Sequence, residues 1–216
     1  MRTTVSLLRH GEVYNPDGIL YGRAPGFHLS ARGRAMAERV AERIGERDIT
    51  VITASPLERA QETAAPLAAA RGVEVGLDER LLESDNYFAG RPFKVADLLR
   101  PAVWPRLRNP FRPSWGEPYD ELAARMWDAV LTARDAARGH EAVLVSHQLP
   151  IWVTRLYAQK RRYLHNPRNR QCTLCSLTSF EFDGDELTAV SYAEPAGDLV
   201  PLADRRDSFS AGGGTA

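Results

Sequence analysis

Short runs of β-branched and other apolar residues alternate along the chain with longer segments in which apolar residues recur at helical spacing. The runs at residues 3–8, 49–53, 73–77 and 142–146 have the length and composition of buried β-strands. Strands separated by helices are typical of a mostly parallel sheet with helices packed on both of its faces. The pattern therefore predicts an α/β fold.

The segments between these strands carry signals for the start and the end of helices. Ser30 has the side chain of an N-cap for the first helix, and Gly45 is expected to end that helix. A second helix is predicted to follow Ser55, with Pro56 in its first turn, and to stop before Gly72. A third helix and a short, buried fourth one are indicated by Leu122, Met126, Ala129, Val130 and Ala133 and by the run 150–153.

A hairpin is predicted near the C-terminal end of the chain. Residues 173–182 and 186–192 have the pattern of two strands, joined by Asp183 and Gly184 in a turn. Cys172 and Cys175 form a C-x-x-C pair, but no second cysteine pair accompanies them as a zinc site would require. We expect both cysteines to be reduced, structural residues, with the C-x-x-C pair in extended chain at the start of the first of these strands.

The periodicity breaks down between residues 84 and 118, where prolines become frequent and aromatic residues cluster. Because long loops without regular structure are uncommon in compact domains, this segment is predicted to be a lid with a short helix near 93–99. A substrate-contacting cap and a surface excursion anchored by its aromatic residues both fit the composition. Residues 201–216 are predicted to be a disordered tail, which leaves one domain over residues 1–200.

Composition limits the classes of partner. With 216 residues, 44% of them apolar, the chain suits a single globular domain. The 28 basic residues equal the 28 acidic ones, so no overall field attracts nucleic acid or an anionic membrane. No segment is long enough to cross a bilayer, and the apolar run at the N-terminus is too short for a signal peptide. We expect a cytoplasmic protein that binds neither nucleic acid nor membranes, and the high ratio of arginine to lysine is typical of a G+C-rich bacterial genome.

A cluster of polar residues follows each of four predicted strands, at residues 9–12, 55–63, 80–83 and 145–147. Parallel strands end at the same edge of a sheet, and ligands of open α/β sheets bind at that edge. The four clusters are therefore expected to form one crevice that holds two arginines, two histidines and a carboxylate.

The stretches RHGE, LSARGRAMA, SPLERAQETA, RLLES and VLVSH occur in this order between residues 3 and 193. In kind and order they resemble the landmarks of the histidine phosphatase superfamily, also called the phosphoglycerate mutase-like family. The resemblance implies a three-layer α/β/α sandwich with a mostly parallel central sheet. It also implies a covalent phosphohistidine mechanism with His10 as the nucleophile and with no metal or organic cofactor.

The chemistry of the matching residues suits this role. A phosphate monoester is a dianion that repels nucleophiles, so fixed positive charge must hold its oxygens before an imidazole can attack. Arg9 and Arg59 supply guanidinium groups, which grip phosphate with two donors. His147 precedes a predicted helix, whose N-terminus favours an anion, and it is expected to be cationic there. His10 must be neutral at its attacking nitrogen, and the family holds the other nitrogen with a backbone carbonyl.

Two carboxylates compete for the role of proton donor. Glu83 fits the family's acid, which protonates the leaving group and then activates the water that hydrolyses phosphohistidine. Glu12, next to the RHG stretch, is its rival. Metal ligation by the remaining histidines is not expected, because none has partners at ligand spacing.

Further residues are candidates for binding the phosphate or the rest of the substrate. Asn15 lies one position from the asparagine of the family pattern and either contacts phosphate or forms an Asn-Pro turn. Gln148 replaces the family's usual glycine at a position where a backbone N–H binds phosphate. The other candidates are Gly11, which lets the backbone approach the ligand, Gly22, and Arg23 as an additional anion contact.

The resemblance covers both phosphatases and mutases. In mutases the acid lies in a stretch like Glu-Arg-His-Tyr-Gly, whereas this chain has Glu-Ser-Asp-Asn-Tyr at 83–87, and Arg106 and Arg108 are separated. Lys94 alone matches the mutase spacing. We therefore predict a phosphoric monoester hydrolase for a small phosphorylated metabolite, with a phosphoglycerate mutase or a catalytically silent phosphate-binding module as alternatives. The lid or the exposed hairpin edge is expected to permit a homodimer.

Overall fold

The apolar runs of the sequence form a six-stranded sheet in the computed structural model, which describes residues 1–85, 116–163, 170–200 and 213–214. The order of the strands is β4-β3-β5-β1-β6-β7; the first four are parallel to one another, β6 is antiparallel to β1, and β7 is antiparallel to β6. The six strands are β1 (Arg2–Arg9), β3 (Ile49–Ala54), β4 (Val75–Leu77), β5 (Glu141–Ser146), β6 (Leu177–Asp183) and β7 (Glu186–Ala193). A separate pair is formed by β2 (Val13–Tyr14) and β8 (Gly213–Gly214).

Helices cover both faces of the sheet. The four α-helices are α1 (Ala31–Ile44), α2 (Glu58–Arg71), α3 (Tyr119–Ala136) and α4 (Gln148–Ala158), and short 3-10 turns occur at Glu79–Leu81 and Gly197–Leu199. As expected, Ser30 caps α1, since its side chain accepts a hydrogen bond from the Gly33 amide, and Gly45 ends that helix. Within the described residues, no helix is long and apolar enough to cross a membrane.

The core lies in two layers, one on each side of the sheet. Apolar residues of α1 and α2 pack against one face together with Leu8 and Val145. Residues of α3 and α4 pack against the other face with Leu7 and Leu144. Because consecutive strand residues point to opposite faces, a strand between two helix layers must be apolar at nearly every position. This explains the continuous apolar runs of β1 and β5 and confirms the predicted three-layer α/β/α sandwich.

Three local expectations differ from the structure or lie outside it. Pro56 precedes α2 rather than lying in its first turn, because the chain stays extended as far as Leu57. Cys172 and Cys175 lie in a turn before β6, not in the strand, although both are free and buried as expected. Most of the predicted lid and of the C-terminal tail lies outside the described residues.

Candidate active site

The two histidines of the sequence motifs lie side by side at the carboxyl edge of the sheet. Strands β1 and β5 are parallel neighbours in a register that pairs Arg9 with Ser146. The next residues, His10 and His147, therefore leave the sheet together, and the His10 amide donates a hydrogen bond to the Ser146 carbonyl over 3.0 Å. Both side chains are buried, and their ring centroids are 5.1 Å apart. The polar clusters after β1 and β5 therefore meet at this edge of the sheet.

His10 is held in the tautomer that a nucleophile requires. Its Nδ1 atom lies 2.8 Å from the Gly11 carbonyl oxygen, which can only accept, so Nδ1 carries the hydrogen and Nε2 keeps its lone pair. Burial lowers the pKa of His10 well below the ordinary imidazole value, and the charges of Arg59 and Arg9 lower it further. The Gly11 carbonyl is the acceptor that the family resemblance requires and that the sequence could not locate.

Arg59 contributes a fully buried guanidinium from the first turn of α2. Its Nη2 donates to the Gly22 carbonyl over 2.6 Å, and the group lies 4.7 Å from the ring centre of Tyr21. Nε and Nη1 have no hydrogen-bond partner, and no carboxylate pairs with Arg59 among the residues that the structure describes. Burial lowers the pKa of Arg59. A buried cation without a carboxylate is costly unless an anion neutralises it, so this geometry favours an anion-binding site.

Arg9, the last residue of β1, adds a second buried guanidinium beside His10. Its Nη1 donates to the Cys172 carbonyl over 2.7 Å, which ties the end of β1 to the turn before β6. Since a carbonyl carries no net charge, this contact orients Arg9 without neutralising it.

His147 is the N-cap residue of α4, and its surroundings favour a neutral imidazole. Its Nε2 contacts the Ser55 hydroxyl at 2.9 Å, while Nδ1 has no partner in the described part of the chain. Burial lowers the pKa of His147 well below its ordinary value, and Arg59, His10 and Arg9 lower it further. Burial and adjacent positive charge both favour the neutral form, so the cationic imidazole expected from the sequence stays a prediction for the site with its anion bound.

The carboxyl group of Glu83 suits an acid better than that of Glu12. Glu83 is half-buried, and its Oε1 accepts a hydrogen bond from the Ser84 amide over 2.8 Å. Burial raises the pKa of Glu83, although the Ser84 amide and the charges of Arg59 and Arg9 oppose the rise. Glu12 is instead committed to the start of α1, where its Oε2 accepts a 2.6 Å hydrogen bond from the Ser30 hydroxyl.

The glycine after His10 is required for packing against α1. A Cβ atom on Gly11 would lie 2.7 Å from the Gly33 carbonyl oxygen, and a Cβ on Gly33 would lie 2.0 Å from the Glu12 carbonyl oxygen. The Gly11 amide donates to the Thr63 hydroxyl over 3.0 Å. Gly11 therefore approaches a neighbouring helix closely, and its expected approach to the ligand stays a prediction.

The remaining candidates contact the backbone around the crevice. Both polar atoms of the Asn15 side chain bind the backbone of Ile19, at 2.8 and 3.0 Å. Gly22 adopts a φ of 47°, and its carbonyl is the one that binds Arg59. Arg23 donates to the Glu83 carbonyl, and Gln148 lies 3.5 Å from the Cys172 carbonyl. Direct contact of these four residues with phosphate stays a prediction.

Several residues that shape the crevice were not assigned roles from the sequence. Ser55 and Thr63 belong to the SPLERAQETA stretch, so the motif offered a signal, but only the fold shows what they contact. Arg170 is half-buried, and its pKa is lowered by burial while Glu83 and Tyr119 raise it. Nothing in the sequence around Arg170 distinguishes it from other arginines.

In the described part of the chain, no group of three or more His, Cys, Asp or Glu side chains could hold a metal ion. The fold and the crevice instead define a class: an α/β sandwich protein in which a neutral, buried histidine lies beside arginines at the carboxyl edge of the sheet.

Comparison with known proteins identifies the family. Residues 5–195 match the histidine phosphatase superfamily (branch 1), and the chain belongs to that superfamily. It is 56% identical to the "Uncharacterized protein Rv0525" of Mycobacterium tuberculosis over 196 residues, which cover 90% of this chain and 97% of that protein. It is 30% identical to a "Probable phosphoglycerate mutase GpmB" of Enterobacter over 211 residues, 92% of this chain and 94% of that protein.

A solved structure of the mycobacterial glucosyl-3-phosphoglycerate phosphatase Rv2419c, complexed with VO3, shares the fold with a TM-score of 0.68. That protein is 25% identical, and the match covers 88% of this chain and 98% of the other. Family and site together indicate an enzyme that transfers phosphoryl groups.

Proposed function

We propose that this protein is a phosphomonoesterase that hydrolyses a small phosphorylated metabolite through a phosphohistidine on His10, with Glu83 as proton donor and without a metal. One observation carries the proposal: a neutral His10 with its Nε2 lone pair available lies beside the buried Arg59 guanidinium, which no carboxylate pairs within the described residues. A nucleophile next to a fixed, uncompensated positive charge suits attack on an anion.

In the first step, Arg9 and Arg59 hold the equatorial phosphoryl oxygens while His10 Nε2 attacks phosphorus. The bond between phosphorus and the ester oxygen breaks, and Glu83 gives its proton to that oxygen. The raised pKa of Glu83 favours this role, because it increases the protonated fraction of the acid. The Gly11 carbonyl stabilises the N–H on the far side of the imidazole as positive charge develops there.

In the second step, the Glu83 carboxylate takes a proton from water, and the resulting hydroxide displaces His10 from phosphorus. The P–N bond breaks, inorganic phosphate leaves, and both residues return to their starting protonation states.

His147 and the start of α4 bind the same anion. A phosphate dianion beside His147 raises its pKa, which opposes the effect of Arg59 and Arg9, so the imidazole gains a proton when substrate binds. The helix N-terminus adds backbone N–H donors. Because a backbone group makes this contact, Gln148 serves in place of the family's usual glycine.

Hydrolysis is favoured over mutase chemistry by the residues around the acid. The stretch Glu-Ser-Asp-Asn-Tyr at 83–87 lacks the Arg-His pair that follows the acid in the mutase-like pattern. Phosphoglycerate mutase activity remains the second candidate, because the Enterobacter relative is a probable mutase. A silent phosphate-binding module is a weaker third, since a binding site alone does not require the acid Glu83.

The test is hydrolysis of p-nitrophenyl phosphate in the presence of EDTA by the wild type and by His10→Ala. We expect turnover by the wild type, a phosphohistidine in acid-quenched samples, and loss of at least about 10³-fold of kcat in the variant. Unchanged hydrolysis by His10→Ala refutes the nucleophile, and absence of turnover on all phosphomonoesters favours the binding module. Efficient interconversion of 3- and 2-phosphoglycerate with negligible hydrolysis would identify a mutase instead.

A further inference from the structure

The main chain of Glu83 is held by a clamp of three side chains, Arg23, Glu117 and Arg125. Arg23 Nε donates to the Glu83 carbonyl oxygen over 2.6 Å, and Arg125 Nη2 reaches the same oxygen at 3.5 Å. Glu117 joins the two arginines. Its Oε1 lies 2.6 Å from Arg125 Nε, and its Oε2 lies 2.8 Å from Arg125 Nη2 and 3.3 Å from Arg23 Nη2.

The ion pair between Glu117 and Arg125 is more shielded from solvent than an ordinary surface ion pair. The side chains of Glu117 and Arg125 are only 14% and 18% exposed, and their contact is bidentate. Exposed single pairs contribute little, whereas a shielded bidentate pair fixes the orientation of both groups. Arg125 Nη1 also donates to the Arg80 carbonyl, in the 3-10 turn that leads to Glu83. The clamp therefore fixes this segment at two carbonyls.

The two chain segments that flank residues 86–115 lie next to each other. The Glu117 amide lies 3.4 Å from the Asp85 carbonyl oxygen. A Cβ on Gly116 would lie 2.6 Å from that oxygen, so the backbones of the two segments are in close contact. Glu117 thus stands next to the proton donor in space, although 34 positions separate them, from 83 to 117.

The clamp contacts the backbone of Glu83, not its carboxyl group. That carboxyl binds the Ser84 amide, and its pKa is set by burial, Ser84, Arg59, Arg9 and Arg170, none of which belongs to the clamp. Its influence on the acid is therefore one of position. A general acid acts only within hydrogen-bond reach of the oxygen that it protonates, and small displacements reduce the rate strongly.

We propose that Glu117 is a positioning residue for the proton donor: it orients Arg23 and Arg125 so that they hold the Glu83 carbonyl from two sides and aim the carboxyl group at the leaving-group oxygen. The inference rests on the proposed function. It assigns Arg23 to the support of the acid, where the sequence suggested an anion contact.

A comparison of substrates with different leaving groups distinguishes a positioning role of Glu117 from a general structural role. Benzyl phosphate releases an alkoxide that needs a proton, whereas p-nitrophenolate leaves without one, so only the first substrate depends on a well-placed acid. In Glu117→Gln one carboxylate oxygen becomes an NH2 group, which cannot accept a hydrogen bond, so the bidentate contact with Arg125 is lost. We expect kcat for benzyl phosphate to fall by about 10-fold to 100-fold, with p-nitrophenyl phosphate changed by less than about 3-fold. Glu121→Gln, the same substitution at an exposed position in the first turn of α3, is the matched control and is expected to change neither.

If kcat of Glu117→Gln falls equally on both substrates, or on neither, the inference is overturned while the proposed function is unaffected. A wild type that turns over neither substrate and forms no phosphohistidine refutes both. If Glu117→Gln fails to fold, Arg125→Lys supplies the same test, because lysine keeps the charge but cannot bind Glu117 and two carbonyls together. That variant must show the same selective loss on benzyl phosphate; a parallel loss counts against Glu117.

Discussion

At the scale of single residues, the surroundings of His10 and of Glu83 favour the uncharged form of each side chain. His10 is buried beside two cations, so its neutral form is favoured. Glu83 lies in partly buried surroundings that favour its protonated form in spite of the same cations. A neutral nucleophile and a protonated acid can coexist only between the pKa of the first and the pKa of the second.

The two pKa shifts predict the pH dependence of hydrolysis. For benzyl phosphate, kcat/KM is expected to rise as His10 loses its proton, below the ordinary imidazole pKa of about 6.5. It then falls as Glu83 loses its proton, above the ordinary glutamate pKa of about 4.3. The fall belongs to the acid, so it is absent with p-nitrophenyl phosphate and in Glu83→Gln. Measured profiles that coincide for the two substrates would contradict the assignment of Glu83.

At the scale of elements, the position of the site depends on how strands end and where helices begin. The loop after β1 is fixed against the first turn of α1 by contact between Gly33 and the backbone of Gly11 and Glu12. The same loop is fixed against α2 by the hydrogen bond from the Gly11 amide to Thr63. His10 is thus held between two helices as well as by the sheet.

Gly33→Ala tests this packing. Alanine normally stabilises a helix by about 1 kcal/mol relative to glycine, but here its Cβ meets a carbonyl oxygen that cannot move without shifting the loop. We expect the free energy of unfolding to fall by about 1–3 kcal/mol in urea denaturation.

The matched control is Gly72→Ala, which adds the same methyl group where nothing lies within 4 Å and the φ is 65°. Its cost is expected to be about 1 kcal/mol, from backbone strain alone. A Gly33→Ala variant as stable as the wild type would show that the close contact does not restrain the loop.

Much of the architecture could be predicted from these elements, because buried strands and amphipathic helices leave strong patterns in sequence. The ends of β1 and β5 identified His10 and His147, and the motif after β3 identified Arg59. The proposed roles of Glu117 and Arg125 could not be predicted in this way, since they depend on which distant side chains and backbone carbonyls the fold brings next to them. Asn15 and Arg23 were assigned from their spacing, but the structure shows the backbone groups that they contact.

At the scale of the whole molecule, the buried charge of Arg59 is expected to lower the free energy of unfolding while it favours anion binding. A buried guanidinium without a carboxylate destabilises the fold until an anion neutralises it. The unliganded protein is therefore expected to be less stable than its core permits, and a phosphate analogue to restore the difference. The expected homodimer, for which β7 offers an exposed edge, stays a prediction that sedimentation can test.

Arg59→Met tests whether the buried charge lowers stability and binds the anion. Methionine fills similar space without charge, so in chloride buffer the variant is expected to be more stable than the wild type by at least about 1 kcal/mol. Vanadate or phosphate at about 100 times its Kd should stabilise the wild type by about 2.7 kcal/mol and leave the variant unchanged. Thermal unfolding with and without the anion measures both effects. A variant that is stabilised as much as the wild type would place the anion elsewhere.

The hydrogen bond from the His10 amide to the Ser146 carbonyl has a dynamic consequence. Because the bond joins the ends of two central strands, we expect that amide to exchange with solvent deuterium mainly when these strands separate, together with the opening of the domain. Heat should therefore inactivate the catalyst and melt the fold in one event, with no inactive but folded intermediate between them.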